Sequence, residues 1–391
     1  SEAVDVEGFK GRAEEISELT RWIVNRKCRL IAVLGFGGIG KTMLAAKIVK
    51  QVRDDFDYII WRSLSNSPQL NDILTEILQF LSKENHSDFD SDNDNHNKKI
   101  LHLVDVLRKH RCLIVLDNVE SILGSSEGKV HELAGKYQDG YQNYGDLFQK
   151  IGETSHKSCL LLTSREKPLQ VAMLEGKNLP VKVLQLQGLK LEDANAILKD
   201  KGFTNSTCST KQLKQLVDLY SGNPLALKMV ATTIYDLFDN NVSEFLKQIG
   251  QKTAVYGDIR TLLEEHFNRL SKLETQLMYW LAINRDSVSL VHMKKDLITQ
   301  DNIRILETVE SLLWRSLIEK AVDYGVGRFS LQSVVAEFIT KRLVVQAAEE
   351  IIRTSDSKIF NDFKIINTYP LIKARSLDYF RQRQERSILE P

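Results

Sequence analysis

Four cysteines in 391 residues, Cys28, Cys112, Cys159 and Cys208, with no C-x-x-C pair among them, exclude a disulfide framework and a zinc ribbon. A reducing, cytoplasmic compartment suits such a chain. An excess of one charge is also missing: Lys plus Arg total 53 against 52 for Asp plus Glu. No net field would hold the chain to nucleic acid or to an anionic membrane. Long apolar runs are absent too. The longest, Leu30 to Ile39, is too short and too Gly-rich to cross a bilayer, which takes ~20 residues. The first residues, SEAVDVEGFKGR, lack the apolar segment of a signal peptide, and no internal repeat occurs at solenoid or propeller spacing. What remains is an ordinary globular composition, 42% hydrophobic and 27% charged. At ~150 residues per domain the length predicts two to four units. The missing initial Met and the abrupt end at SILEP are read as the edges of a fragment, with further domains beyond it.

Residues 28–185 alternate apolar runs with amphipathic stretches, the pattern of an α/β domain wound around a parallel sheet. The predicted strands are Leu30 to Leu34, Tyr58 to Trp61, Leu113 to Leu116, Leu160 to Thr163 and Val181 to Leu184. Leu70, Ile73, Leu74, Ile77 and Leu78 repeat at helical spacing between them. Residues 186–253 turn to short helices, with Ala194, Ile197 and Leu198 on one and Leu213, Leu216 and Leu219 on another, predicting a small bundle. In residues 254–345 a helix over Ile303 to Lys320 precedes two apolar runs around Tyr324-Gly325-Val326-Gly327, which read as the β-hairpin of a winged helix. Residues 346–391 read as a helical connector, and 1–27 as a linker. Asp88, Asp90, Asp92 and Asp94 imitate a calcium loop, but Asn93 and Lys99 stand where that loop needs Gly and Glu, so the segment is read as a surface loop.

The strongest chemical signal is Gly35-Phe36-Gly37-Gly38-Ile39-Gly40-Lys41-Thr42, directly after an apolar run and directly before the helical stretch starting at Met43. Glycines at this spacing turn consecutive backbone N–H groups toward phosphate oxygens, and the following helix points its positive end at the same anion. Lys41 then reaches the β- and γ-phosphates, and Thr42 offers its hydroxyl to Mg²⁺. Leu113-Ile114-Val115-Leu116-Asp117 ends an apolar run in a carboxylate at the sheet edge where ligands bind, so Asp117 is assigned to the same Mg²⁺. Asn118 follows it, which removes the second carboxylate that many ATPases use to activate water. Glu120 is the substitute in reach. Arg165, at the end of another strand, could sense a γ-phosphate. Lys41, Asp117 and Arg165 are the catalytic candidates. The cysteines beside the strands are expected to be buried structural thiols at the opposite end of the sheet.

Taken in order, Gly11-Arg12, GFGGIGKT, LDNVE, TSRE and Gly222-Asn223-Pro224-Leu225-Ala226-Leu227 resemble the NB-ARC branch of STAND nucleotide switches, and most of all bacterial multidomain members with WD-repeat propellers. The resemblance implies an ATP/ADP-dependent switch with Mg²⁺, closed with ADP and self-associating once opened, with sensor and effector domains outside this fragment. It implies that Phe9, Gly11 and Arg12 lie along the adenine and ribose and that Pro224 packs on the base. Gly35, Gly37, Gly38, Ile39, Gly40, Lys41, Thr42 and Met43 would line the phosphates. The family's Met-His-Asp motif, which contacts the ADP β-phosphate, aligns with Leu331-Gln332-Ser333, so Gln332 would donate where the family has a histidine.

Two other classes compete. A nucleotide-regulated DNA-binding protein would need a basic helix, yet Arg304, Arg315 and Lys320 alternate with Glu307, Glu310 and Glu319. The more basic stretch with Lys373, Arg375, Arg381, Arg383 and Arg386 is read as a solvated face. A kinase or motor would need an acceptor site and a catalytic base, and neither can be named. Tyr137, Tyr141 and Tyr144, at helical spacing, are read as packing residues rather than a base-stacking platform.

Overall fold

The computed structural model describes residues 6–85, 95–124, 134–204, 207–249, 257–284, 287–296, 301–323, 326–357, 365, 368 and 369. The chain enters through α1 (Ala13–Thr20), extended by a wider turn over Arg21–Asn25. The five apolar runs then form β1 (Leu30–Leu34), β2 (Tyr58–Ser63), β3 (Cys112–Asp117), β4 (Cys159–Ser164) and β5 (Val181–Gln185). They pair in parallel in the order β2-β3-β4-β1-β5, with Leu30 opposite both Leu160 and Val181. Between them lie α2 (Lys41–Gln51), α3 (Leu70–Asn85), α4 (His96–Lys109), α5 (Asn143–Glu153) and α6 (Leu169–Leu174). Every residue of β1, β3 and β4 is buried because helices cover both faces. Alternate residues serve opposite layers: Leu30, Ala32 and Leu34 pack with Leu74 and Phe148, while Ile31 and Val33 pack with Leu44 and Ile48.

Four helices follow, α7 (Leu191–Asp200), α8 (Thr210–Leu219), α9 (Pro224–Phe238) and α10 (Val242–Ile249). Ala194, Ile197, Leu198, Leu213 and Leu216 are buried among them as their spacing predicts. The remainder comprises α11 (Gly257–Asn268), α12 (Lys272–Asn284), β6 (Val288–Ser289), α13 (Leu290–Asp296), α14 (Asn302–Trp314), β7 (Ile318–Asp323), β8 (Val326–Leu331) and α15 (Ser333–Ser357). β6, β8 and β7 form an antiparallel sheet in that order. One apolar cluster runs through both regions, from Leu227 and Val230 to Phe267, Leu281 and Phe338, and it takes in Phe36 of the glycine-rich loop.

Two expectations need correction. The helix expected over Ile303 to Lys320 stops at Trp314: Ser316 turns with φ of 55°, and Ile318 already pairs with Leu331 in the hairpin. Tyr137, Tyr141 and Tyr144 do not share a helix, since only Tyr144 lies on α5. Their packing role does hold, because the Tyr141 and Tyr144 hydroxyls donate to the carbonyls of Ser67 and Pro68. Cys112 and Cys159 begin β3 and β4, at the end of the sheet opposite Asp117 and Ser164. They and Cys28 are free and buried, and burial pushes all three thiols up. The Asp-rich segment over 86–94, the hairpin tip at Tyr324-Gly325 and the basic residues beyond 369 lie outside the described residues. Among the described residues no helix is long and apolar enough to cross a membrane, and no group of three or more His, Cys, Asp or Glu could hold a metal ion.

Candidate functional site

The loop Gly35–Gly40 joins the end of β1 to the start of α2 and sits at the carboxyl edge of the parallel sheet. Gly38 has φ of 74°, and a Cβ there would come 2.8 Å from the Leu225 side chain, so the position excludes other residues on both counts. The Lys41 ammonium folds back onto the loop and donates to the carbonyls of Gly35 at 2.9 Å and Phe36 at 3.1 Å. Burial pushes its pKa down to about 8, against the opposing pull of Glu120 and Asp117. A cation so desolvated and held only by carbonyl dipoles is matched to a phosphate anion.

The Thr42 hydroxyl, half-buried in the first turn of α2, donates to Asp117 Oδ1 at 2.9 Å. Thr163 on the neighbouring strand donates to the same oxygen. Burial raises the Asp117 carboxyl, and these two hydrogen bonds pull it back. The pairing therefore brings together the hydroxyl and the carboxylate assigned to Mg²⁺, 75 residues apart in sequence. Both are hard oxygen donors of the kind that cation accepts. Asn118 takes a left-handed conformation, φ of 63°, and its amide donates to Asp117 Oδ2. Glu120 is not free to act on water: its carboxylate accepts the Arg165 backbone N–H at 3.2 Å and pairs with the Arg165 guanidinium at 3.0 Å.

Three other parts of the chain close on this loop. Arg12 is buried and donates to the Ile39 carbonyl at 3.2 Å, while its own N–H is held by Asp193 of α7. Phe9 packs against the cluster containing Ile39 and Leu44. Gly11 lies against the Asp193 carboxylate, and Met43 is half-buried beside Thr42. Asn223 donates to the Gly37 carbonyl at 3.0 Å while its side-chain oxygen caps α9, whose first residue is Pro224. His266 of α11 stacks on Phe36 with ring centroids 5.1 Å apart. Sequence reasoning placed neither Asn223 nor His266 in the site. An Asn directly before a helix-starting Pro was a readable capping signal. His266 carried no local signal at all.

Gln332 follows β8, next to Ser333, whose N–H donates to Ser221 just before the Asn223 cap. Its side-chain amide donates to Glu319 at 2.9 Å. Glu166, next to Arg165, carries a second connection that the sequence did not reveal. It pairs with Arg315 at 2.8 Å and with Arg269 at 3.2 Å, and Arg315 in turn pairs with Glu274 at 3.0 Å. These bonds link the strand edge to the region of α12 and α14.

An NB-ARC domain model matches residues 12–122. A WD repeat-containing protein of Nostoc sp. is 41% identical over an alignment that covers all of this chain and 33% of that protein. A disease resistance-like protein of Arabidopsis thaliana is 24% identical over 68% of this chain and 20% of its own length. The chain thus spans about a third and a fifth of these relatives. A Walker-type ATPase of Pyrococcus abyssi shares the fold, with a TM-score of 0.53 at 11% identity over 85% of this chain and 96% of that one. The resemblance read from the motifs is thus matched by the NB-ARC model over residues 12–122, and the parallel α/β sheet has the fold of a Walker-type ATPase.

Proposed function

We propose that this NB-ARC-like chain is a STAND-class ATP/ADP switch module, closed around ADP and opening on exchange for ATP to self-associate and signal. The observation that carries this reading is convergence. Arg12 from the entry segment, Asn223 from the bundle and His266 from the last region all touch one six-residue loop, Gly35–Gly40. A simple binding protein needs no such convergence, whereas a switch must tie the positions of its units to the phosphate. In this reading Thr42 and Asp117 hold Mg²⁺, which when bound would neutralise charge on the phosphates. Phe9, Gly11, Arg12 and Pro224 hold the adenosine end. Arg165 would leave Glu120 for a γ-phosphate. Gln332 would reach the ADP β-phosphate only by giving up Glu319.

We read α12–α14 with β6, β7 and β8 as a winged helix that packs inward rather than onto DNA. Two features support this over the DNA-binding alternative. Arg315 is buried against Glu166 and Glu274 and so is not presented to phosphate, and the exposed Arg304 is offset by its pair with Asp301. A cytoplasmic setting and partner domains beyond the chain belong to the same proposal. The test is to denature the purified protein and separate the released small molecules by chromatography, then titrate nucleotide-free protein. ADP or ATP release, or Mg²⁺-dependent ADP binding abolished by Lys41→Ala, is expected. A preference for guanine nucleotide, or binding untouched by Lys41→Ala, would sink the assignment.

A further inference from the structure

α11 lies directly over the phosphate loop. A Cβ added at Gly37 would meet the Leu262 side chain at 2.6 Å, and one turn further on His266 stacks on Phe36 at an interplanar angle of 28°. His266 is 5% exposed, and its Nε2 has no hydrogen-bond partner. A buried polar nitrogen without a partner is costly to leave dry and calls for an explanation, and this one lies on the ring stacked against the phosphate loop. The charged groups facing it come from four elements: Lys41 of α2, Arg165 after β4, Arg269 after α11 and Arg315 after α14. Their carboxylate partners are Glu120 and Glu265 for Arg165, Glu166 for Arg269 and Arg315, and Glu274 for Arg315. Lys41 alone is held only by carbonyls.

We propose that His266 is a phosphate sensor carried by α11: when the loop holds a nucleotide phosphate, the imidazole takes a proton from solvent and joins Lys41 and Arg165 around the anion. The inference rests on the nucleotide reading above and adds a residue that no motif supplies. Burial first, and then the cations Arg165, Lys41, Arg269 and Arg315, hold the ring neutral without ligand, well below the usual histidine range. Phosphate charge cancels the part due to Lys41 and Arg165. The last turn of α11, where His266 sits, presents the negative end of the helix dipole and favours the same protonated form. Because the ring becomes more basic in the complex, ligand affinity should rise as pH falls through the pKa of the bound form.

The experiment compares ADP affinity of the parent and of His266→Phe, which keeps a ring on Phe36 and removes both nitrogens. Calorimetric titrations would run from about pH 5.5 to 7.5, where imidazoles titrate. The phosphate's own ionisation is common to both proteins and cancels in the comparison. The parent should bind about tenfold or more tightly at the acid end, the scale of one hydrogen bond to a charged group, with the two curves converging above neutrality. Parallel curves at every pH would overturn the proposal, because a residue that only packs would shift affinity uniformly. If His266→Phe does not fold, His266→Gln gives the same comparison with a side chain that cannot titrate. Binding by the parent that Lys41→Ala abolishes, but with the same pH profile in the His266 variants, overturns the sensor and leaves the nucleotide reading intact. Absence of any nucleotide binding overturns both.

Discussion

Arg315 and Glu166 form an ion pair of 2.8 Å in which the two side chains are 1% and 3% exposed. Arg315 belongs to the turn after α14, Glu166 to the segment directly after Arg165. The pair thus lies one residue from Arg165, the arginine proposed above to sense a γ-phosphate. It is reinforced by main-chain contacts, since the Lys167 N–H donates to the Trp314 carbonyl at 2.9 Å and the Ala134 N–H to the Ser311 hydroxyl at 2.8 Å.

Removing the cation should therefore uncouple the third region from the sheet. Arg315→Met leaves Glu274 buried without a counter-charge and Glu166 with Arg269 alone, a defect of the kind that typically costs about 3–5 kcal/mol. Adding Glu166→Gln and Glu274→Gln should recover much of the loss, because the carboxylates themselves are the uncompensated groups. Urea denaturation of the parent, single and triple variants measures this. A single variant as stable as the parent would mean that the pair does not hold the units together.

Lys41 gives a second prediction, in a separate pH window. Its ammonium is pushed down to about 8 by burial, and bound phosphate restores the charged form. Affinity for ADP should be level with respect to Lys41 below that pH and fall above it, by about tenfold per pH unit for one linked proton. Lys41→Arg, which stays charged, should flatten this alkaline limb. Titrations between about pH 7 and 10 distinguish the two outcomes.

Asp117 should act through the metal and not through the nucleotide itself. Asp117→Asn retains an oxygen for the Thr42 hydroxyl but loses the charge. ADP binding in chelator should change little, and the gain in affinity on adding Mg²⁺ should disappear. Persistence of that gain would remove Asp117 from the metal site.

Turnover should be slow. Asn118 stands directly after Asp117 where many ATPases carry the second carboxylate, and the nearby Glu120 is paired with Arg165 in this structure. Phosphate release by the isolated chain should fall well below the ~10 per second of a median enzyme. A rate near that figure would show that Glu120, once Arg165 has left it, activates water efficiently.

The parallel sheet was legible because strands buried on both faces appear as uninterrupted apolar runs, and all five fell where those runs are. The phosphate loop was legible because its spacing is fixed by the chemistry of one anion. The end of α14 was not: Arg315 continues a plausible helical face, and the left-handed turn at Ser316, the pairing of Ile318 with Leu331 and the capture of Arg315 by Glu166, 149 residues away, are not written in the local pattern. The Asn223 bond to Gly37 spans 186 residues, and His266 reaches Phe36 across a comparable gap. Local periodicity carries no information about such meetings.

A seat built around an enclosed guanidinium has no comfortable halfway position. Rotating α14 by a small angle would part Arg315 from Glu166 before water could reach either, and bare charge in apolar surroundings is penalised steeply. If the chain works as the switch proposed above, the third region is accordingly either seated or gone. Whatever signal unseats it would be answered molecule by molecule, as a yes or a no, and a graded stimulus would change the proportion of the two kinds rather than the posture of each.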